Sequence, residues 1–270
     1  LDMFAPNITN QNNILFRNDC SGNFTKITAG ALVNDGGFSY GASIGDYNND
    51  GFPDIFVVNG GSSASQNNFF YSNNGDGTFT KVTTGTFVNE IGNSWGSSSV
   101  DYDKDGKLDI YTANYNRNNF LYKGNGDGSF TKVTAGAIVN DGGNSLNCAW
   151  GDYDNDGFPD VFVANANFAA GENNFLYKNN GDGTFTKITT GNIVNDGGNS
   201  TGASWGDYDN DGDLDLFVTN YFTENNFLYR NEGSGVFTKI TTGEIVNDGG
   251  ASVGSAWGDY DNDGDLDLFV

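Results

Sequence analysis

Ten residues beginning at Gly151, GDYDNDGFPD, hold four aspartates and an asparagine. The same device returns as GDYNNDGFPD from Gly45, VDYDKDGKLD from Val100, and GDYDNDGDLD from both Gly206 and Gly258. Counted from its first aspartate, each copy reads D-x-[DN]-x-D-G-x-x-D. Side-chain oxygens therefore recur at positions 1, 3, 5 and 9: Asp46, Asn48, Asp50, Asp54; Asp101, Asp103, Asp105, Asp109; Asp152, Asp154, Asp156, Asp160; Asp207, Asp209, Asp211, Asp215; and Asp259, Asp261, Asp263, Asp267. With a backbone carbonyl near position 7 and water, such a loop supplies the hard oxygen shell that Ca²⁺ takes, and the glycine at position 6 permits the sharp turn. Mg²⁺ demands a tighter octahedron, and the absence of nitrogen and sulfur donors excludes zinc-type sites. The loop is not an EF-hand, because position 12 is Val57, Thr112, Val163, Val218 or Val270 where that loop needs a bidentate glutamate. The competing reading is that these residues only make Asx-turns between strands. Five copies in register favour the metal, about one Ca²⁺ per repeat.

The charge balance agrees. The 270-residue chain has a net charge of −23 and no histidine, and five divalent ions would bring it to −13. So acidic a chain is a poor partner for nucleic acid or an anionic membrane surface, both of which call for clustered Lys and Arg. No apolar run is long enough to span a bilayer, so no membrane insertion is expected, and no leader peptide is evident. Cys20 and Cys148 occupy unrelated places in their repeats, which reads as two thiols and no disulfide framework.

The loops must be held by something equally periodic. The first aspartates lie 55, 51, 55 and 52 residues apart, a period that belongs to propellers and solenoids. Forty glycines against three prolines mark many tight turns. From Ser204 the unit reads as a strand SWGDYD, the acidic loop, a second strand LDLFVTN, a third NNFLYRN, a glycine-rich turn and a fourth strand VFTKITT. The second strands DIFVV, DIYTA, DVFVA and DLFVT carry adjacent apolar residues, so both of their faces must be covered. Lys26, Lys81, Lys132, Lys187 and Lys239 hold one place in the fourth strand, as befits an edge that must not pair with other molecules. The Gly, Ala and Ser-rich first strands suit a crowded centre. The fold class expected is all-β, a five-bladed β-propeller of four-stranded antiparallel blades forming a single domain over 1–270. The ring would be closed by N-terminal strands joining the C-terminal strand. LDMFA at the N-terminus duplicates LDLFV at the C-terminus, so one copy should be displaced. Asp267, close in sequence to its loop, is expected to keep the fifth site over Asp2.

These motifs resemble the FG-GAP/VCBS repeats of integrin α-subunit propellers, bacterial surface proteins and some fungal lectins, over essentially the whole chain. That family's rings commonly have seven blades, where this chain encodes five. The resemblance implies a calcium-stabilised binding or adhesion module, extracellular or at the cell surface, with carbohydrate or a surface protein as partner. A purely structural, designed or reconstructed propeller without a specific ligand is the alternative. A monomer is expected, with a strand-exchanged oligomer as the other possibility. Loops opposite the acidic loops vary most, and their aromatics Tyr40, Trp95, Tyr115, Phe168, Tyr221 and Phe222 are the candidate ligand contacts. Trp150, Trp205 and Trp257 share a first-strand position and read as core. Without a histidine base or an unmatched constellation in any repeat, no enzyme is expected.

Overall fold

The computed structural model describes residues 2–61 and 66–270, so Leu1 of the first LDMFA copy and part of the variable loop after the second strand of the Asp46 repeat lie outside it. Strands β1 (Met3–Ala5), β2 (Ile14–Asn18) and β3 (Phe24–Ile27) form a three-stranded sheet. Four four-stranded sheets follow in chain order. They are β4 (Ser39–Gly45), β5 (Asp54–Asn59), β6 (Phe69–Asn73) and β7 (Phe79–Val82); β8 (Ser94–Val100), β9 (Asp109–Asn114), β10 (Phe120–Gly124) and β11 (Phe130–Val133); β12 (Ser145–Gly151), β13 (Asp160–Asn165), β14 (Phe175–Asn179) and β15 (Phe185–Ile188); and β16 (Ser200–Gly206), β17 (Asp215–Asn220), β18 (Phe227–Asn231) and β19 (Phe237–Ile240). A two-stranded sheet, β20 (Ala256–Gly258) and β21 (Asp267–Phe269), ends the series. The chain divides into two compact units, Leu1–Ser99 with Gly106–Val133, and Val100–Asp105 with Thr134–Val270.

Within each unit the sheets stack through both faces of their second strands, as the adjacent apolar residues required. In the first unit Ile55 and Val57 of β5 face a cluster with Leu15, Leu32 and Val33, while Phe56 and Val58 face another with Phe70, Phe87, Ile110 and Tyr122. In the second unit Leu216 and Val218 of β17 join Phe162, Leu176 and Ile193, and Phe217 faces Trp257 and Leu268. The first strands do come close together. A Cβ added to Gly41 would lie 3.0 Å from the Trp95 carbonyl oxygen, and one added to Gly202 would lie 2.9 Å from that of Val253.

The fourth-strand lysines do more than guard an edge. Lys81 lies 3.7 Å above the Phe69 ring and 2.8 Å from Asp35, and the Tyr71 hydroxyl donates to the same carboxylate at 2.9 Å. Lys132 and Tyr122 meet on Glu90, Lys187 and Tyr177 on Asp141, Lys239 and Tyr229 on Asp196. Each acid belongs to the connector that precedes its sheet, so the connector is fastened to the sheet that follows it. Sequence spacing showed the lysine column but not its partners, which sit about one repeat upstream.

The duplicated strand departs from expectation. Neither copy is displaced: β1 pairs with β2 from Met3↔Phe16 to Ala5↔Ile14, and β21 pairs with β20 from Gly258↔Asp267 to Ala256↔Phe269. Each copy forms a local antiparallel pair with its nearest neighbour in sequence, which costs less chain entropy than a partner at the far terminus. The expected joining of the C-terminal strand to the N-terminal strands is not among the pairings of the described residues. No helix among the described residues is long and apolar enough to cross a membrane. Cys20 is exposed and Cys148 buried, and no disulfide joins them.

Candidate metal centres

Each acidic loop is shaped by bonds that its first aspartate collects. Asp152 accepts the Asp156 N–H at 3.0 Å on Oδ1 and the Gly157 N–H at 2.8 Å on Oδ2. Asp46, Asp207 and Asp259 take the same two donors in their own loops. The position 5 carboxylate then accepts an N–H two residues on, as Asp156 does from Phe158 and Asp211 from Asp213. Position 4 is left-handed in all five loops, at Asn49, Lys104, Asn155, Asn210 and Asn262. Asparagine tolerates that conformation best among residues with a side chain, and its recurrence in four loops was a readable signal that spacing alone passed over. The turn reading and the metal reading thus describe one object: Asx-type bonds hold the backbone while other carboxylate oxygens converge.

Position 9 ties the second strand to the third and to the acidic loop. Asp54, Asp109, Asp160 and Asp215 head their second strands with no exposed surface. Asp160 accepts the Asn179 N–H of β14 at 2.7 Å and the Tyr153 N–H of the loop at 3.2 Å. Asp54 and Asp215 repeat both bonds, with Asn73 and Tyr47 and with Asn231 and Tyr208. Burial pushes the Asp160 carboxyl up to about 7, with Asp154 adding repulsion, and Asp215 up to about 6; Asp54 moves the same way. Carboxylates so placed call for either a proton or a cation.

In two loops of the second unit the donors converge as a cation requires. Asp152, Asp154 and Asp160 bring ligand oxygens within 4.8 Å of one another, as do Asp207, Asp209 and Asp215. Two oxygens bound to one Ca²⁺ lie at most about 5 Å apart, so the all-oxygen set fits that ion. The last loop differs: its converging acids are Asp259, Asp261 and Asp263, all exposed, while Asp267 accepts the Tyr260 N–H at 2.8 Å. In the first loop Asn48 turns its amide toward Asp50 at 2.9 Å and Ser72 at 3.5 Å. The second loop is divided between the units. Asp105 donates to Asp101 in one, and Asp109 accepts the Gly124 N–H in the other.

A base on the third strand also faces the loop. Lys178 of β14 pairs with Asp154, and with Asp156 at 3.0 Å, and these bonds raise the pKa of its ammonium. Its counterparts are Arg17, Ser72, Lys123 and Arg230. Within one unit, serine stands where position 3 of the loop of the same sheet is Asn48, and Lys178 and Arg230 stand where it is Asp154 and Asp209, a charge match that the linear pattern hid.

The six aromatic candidates gather into two trios. Tyr40 and Trp95 lie 4.2 Å apart and Trp95 and Tyr115 5.7 Å apart in the first unit. In the second unit Phe168 lies 6.1 Å from both Tyr221 and Phe222, which are 4.9 Å from each other. Both trios sit at the strand ends away from the acidic loops. Phe222 is 46% exposed and left-handed at φ 63°, a backbone that bulky residues rarely adopt. Beside it, Glu224 accepts both the backbone N–H and the amide of Asn199. Trp205 and Trp257 stack on Tyr153 and Tyr208 and donate to the carbonyls of Ala149 and Ser204, and Trp150 meets Phe185 edge-on, so all three are structural.

The FG-GAP-like repeat model matches residues 1–57, 46–112, 101–163, 152–218 and 207–270. Cartilage acidic protein 1 of Xenopus tropicalis, and likewise of Mus musculus and Homo sapiens, is 27% identical over 187 residues, covering 66% of this chain. The match covers 28% of the length of these relatives. Among solved structures, the Tc holotoxin pore of Photorhabdus luminescens aligns over 99% of this chain and 13% of its own at 16% identity and a TM-score of 0.48. The V. cholerae biofilm matrix protein Bap1 aligns over 95% of this chain and 41% of its own at 15% identity and a TM-score of 0.49.

Proposed function

The chain belongs to the FG-GAP-like repeat family, and from that premise we propose that it is a calcium-stabilised binding or adhesion module working outside the cell or at its surface. The observation that carries the metal is the convergence of Asp152, Asp154 and Asp160 around a buried carboxylate. In this reading positions 1, 3, 5 and 9 of every loop hold about one Ca²⁺ per repeat. The sheets are the blades of one propeller domain, and a first strand of the β20 kind joins the free edge of β1 to complete the ring. An extracellular setting is in keeping with relatives named for cartilage.

The binding surface is the strand end that carries the two aromatic trios, and its ligand is carbohydrate or a surface protein. Aromatic faces beside asparagine and glutamate suit the apolar face and hydroxyls of a sugar, and two similar clusters on one chain favour a multivalent partner. The role is binding, since the repeated acids serve the metal and leave no unmatched acid–base pair. A glycan array run in Ca²⁺ and in chelator, with Tyr221→Ala and Tyr115→Ala alongside, tests this reading. Signal that needs both Ca²⁺ and the aromatics supports it. Silence on glycans, together with silence against surface-protein partners, supports a purely structural propeller.

A further inference from the structure

The second residue of each acidic loop is a tyrosine, and three of them fill the same kind of socket. Tyr47 lies 5.6 Å from Phe130, and its carbonyl accepts the Gly128 N–H at 3.2 Å. Tyr102 lies 5.6 Å from Phe185, and its carbonyl accepts the Asn179 amide at 2.8 Å. Tyr153 lies 5.7 Å from Phe237, and its carbonyl accepts the Asn231 amide at 2.7 Å. All three tyrosines are at most 4% exposed. For Tyr102 and Tyr153 the socket is thus a fourth-strand phenylalanine, a third-strand asparagine and the glycine turn between them, while for Tyr47 Gly124 stands in the asparagine's place and the turn glycine Gly128 makes the bond.

The sheet β4–β7 has the same three parts in Phe79, Asn73 and Gly77, and there they line a cavity of about 500 Å³ with Phe4, Leu15 and Arg17. The matching tyrosine, Tyr260, is 90% exposed. The strand that should carry a tyrosine into this cavity is a first strand beside β1, and β20 is such a strand. Its present partner β21 is three residues long, with Phe269 79% exposed. Charge agrees as well. Arg17 occupies the third-strand place from which Lys178 pairs with Asp154 and Asp156, and the loop after β20 offers Asp261 and Asp263 at those positions.

Resting on the blade reading above, we propose that a second copy of this chain docks here. Its β20 exchanges β21 for the free edge of β1, with Trp257 opposite Met3, and its Tyr260 enters the Phe79 socket. The contact is head to tail, so each copy offers one plug and one socket. Main-chain pairing supplies the register and the buried tyrosine the anchor.

Sedimentation velocity on the full chain across a concentration series tests it. The wild type should show mass rising with concentration, and Tyr260→Ala should weaken association about thirtyfold, as for a central aromatic anchor, without changing the melting of the single copy. In a Cys20→Ser background, Ala5→Cys combined with Ser255→Cys should link different copies by disulfide. A single-copy mass at every concentration, unchanged association of Tyr260→Ala, or a disulfide formed within one copy overturns the proposal. Tyr153→Ala separates the two levels of inference. It must lower the melting temperature if filled sockets hold neighbouring blades together, and an unchanged value would refute the blade reading itself.

Discussion

At the scale of single residues, the loop acids and Lys178 compete for the same work. Lys178 neutralises Asp154 and Asp156, so a divalent ion must displace its ammonium. Lys178→Met should therefore tighten Ca²⁺ binding at one site by about tenfold, or ~1.4 kcal/mol. The same variant should melt earlier in chelator, because Asp154 and Asp156 lose the ammonium that pairs with both. Calorimetric titration and thermal melts read the two opposite signs. Asp160 gives a pH signature. Its folded carboxyl is raised to about 7 by burial, above the unfolded value near 4. The metal-free protein then binds the extra proton when folded, so this contribution to stability is full below about pH 4 and lost as pH rises through about 7. Saturating Ca²⁺ should flatten that slope, which melts across pH with and without the ion would show. The acids were evident in the sequence because their spacing is local. The charge match between Asp154 and Lys178 was not, because 24 residues and a strand crossing separate them.

At the scale of elements, the close approach of first strands sets a limit on side-chain size. Gly202→Ala in β16 places a methyl group 2.9 Å from the Val253 carbonyl oxygen and should cost about 1–3 kcal/mol, read by denaturant unfolding. Tyr177→Phe removes the hydroxyl that donates to Asp141 at 2.9 Å and should cost about 1 kcal/mol, with Lys187 still paired. Strand order and sheet composition were readable, since apolar runs, turn glycines and the small-residue first strands repeat in register. The aromatic trios and the tyrosine sockets were not. They form between residues about one repeat apart or more, where a linear pattern supplies the members but not the meeting. The fate of the duplicated strand was misjudged for a related reason: competition for one place was assumed, and each copy instead satisfied its own hairpin.

At the scale of the whole molecule, 35 acidic residues against 12 basic ones would make a bound divalent ion a general stabiliser as well as a local one. Each site held at a hundredfold above its Kd contributes about 2.7 kcal/mol, so chelation should lower the melting temperature by many degrees and broaden the transition as loops fail at different points. Added monovalent salt should recover part of that loss by screening, which Ca²⁺ at low ionic strength should surpass. The fastening of connector to sheet has a mechanical consequence. Because Tyr177 and Lys187 both end on Asp141, and Tyr229 and Lys239 both end on Asp196, tension along the chain cannot peel a connector without first breaking a half-buried three-way contact. Pulled from its ends, the protein should therefore yield in discrete rips of one repeat each, as the clasps open one after another.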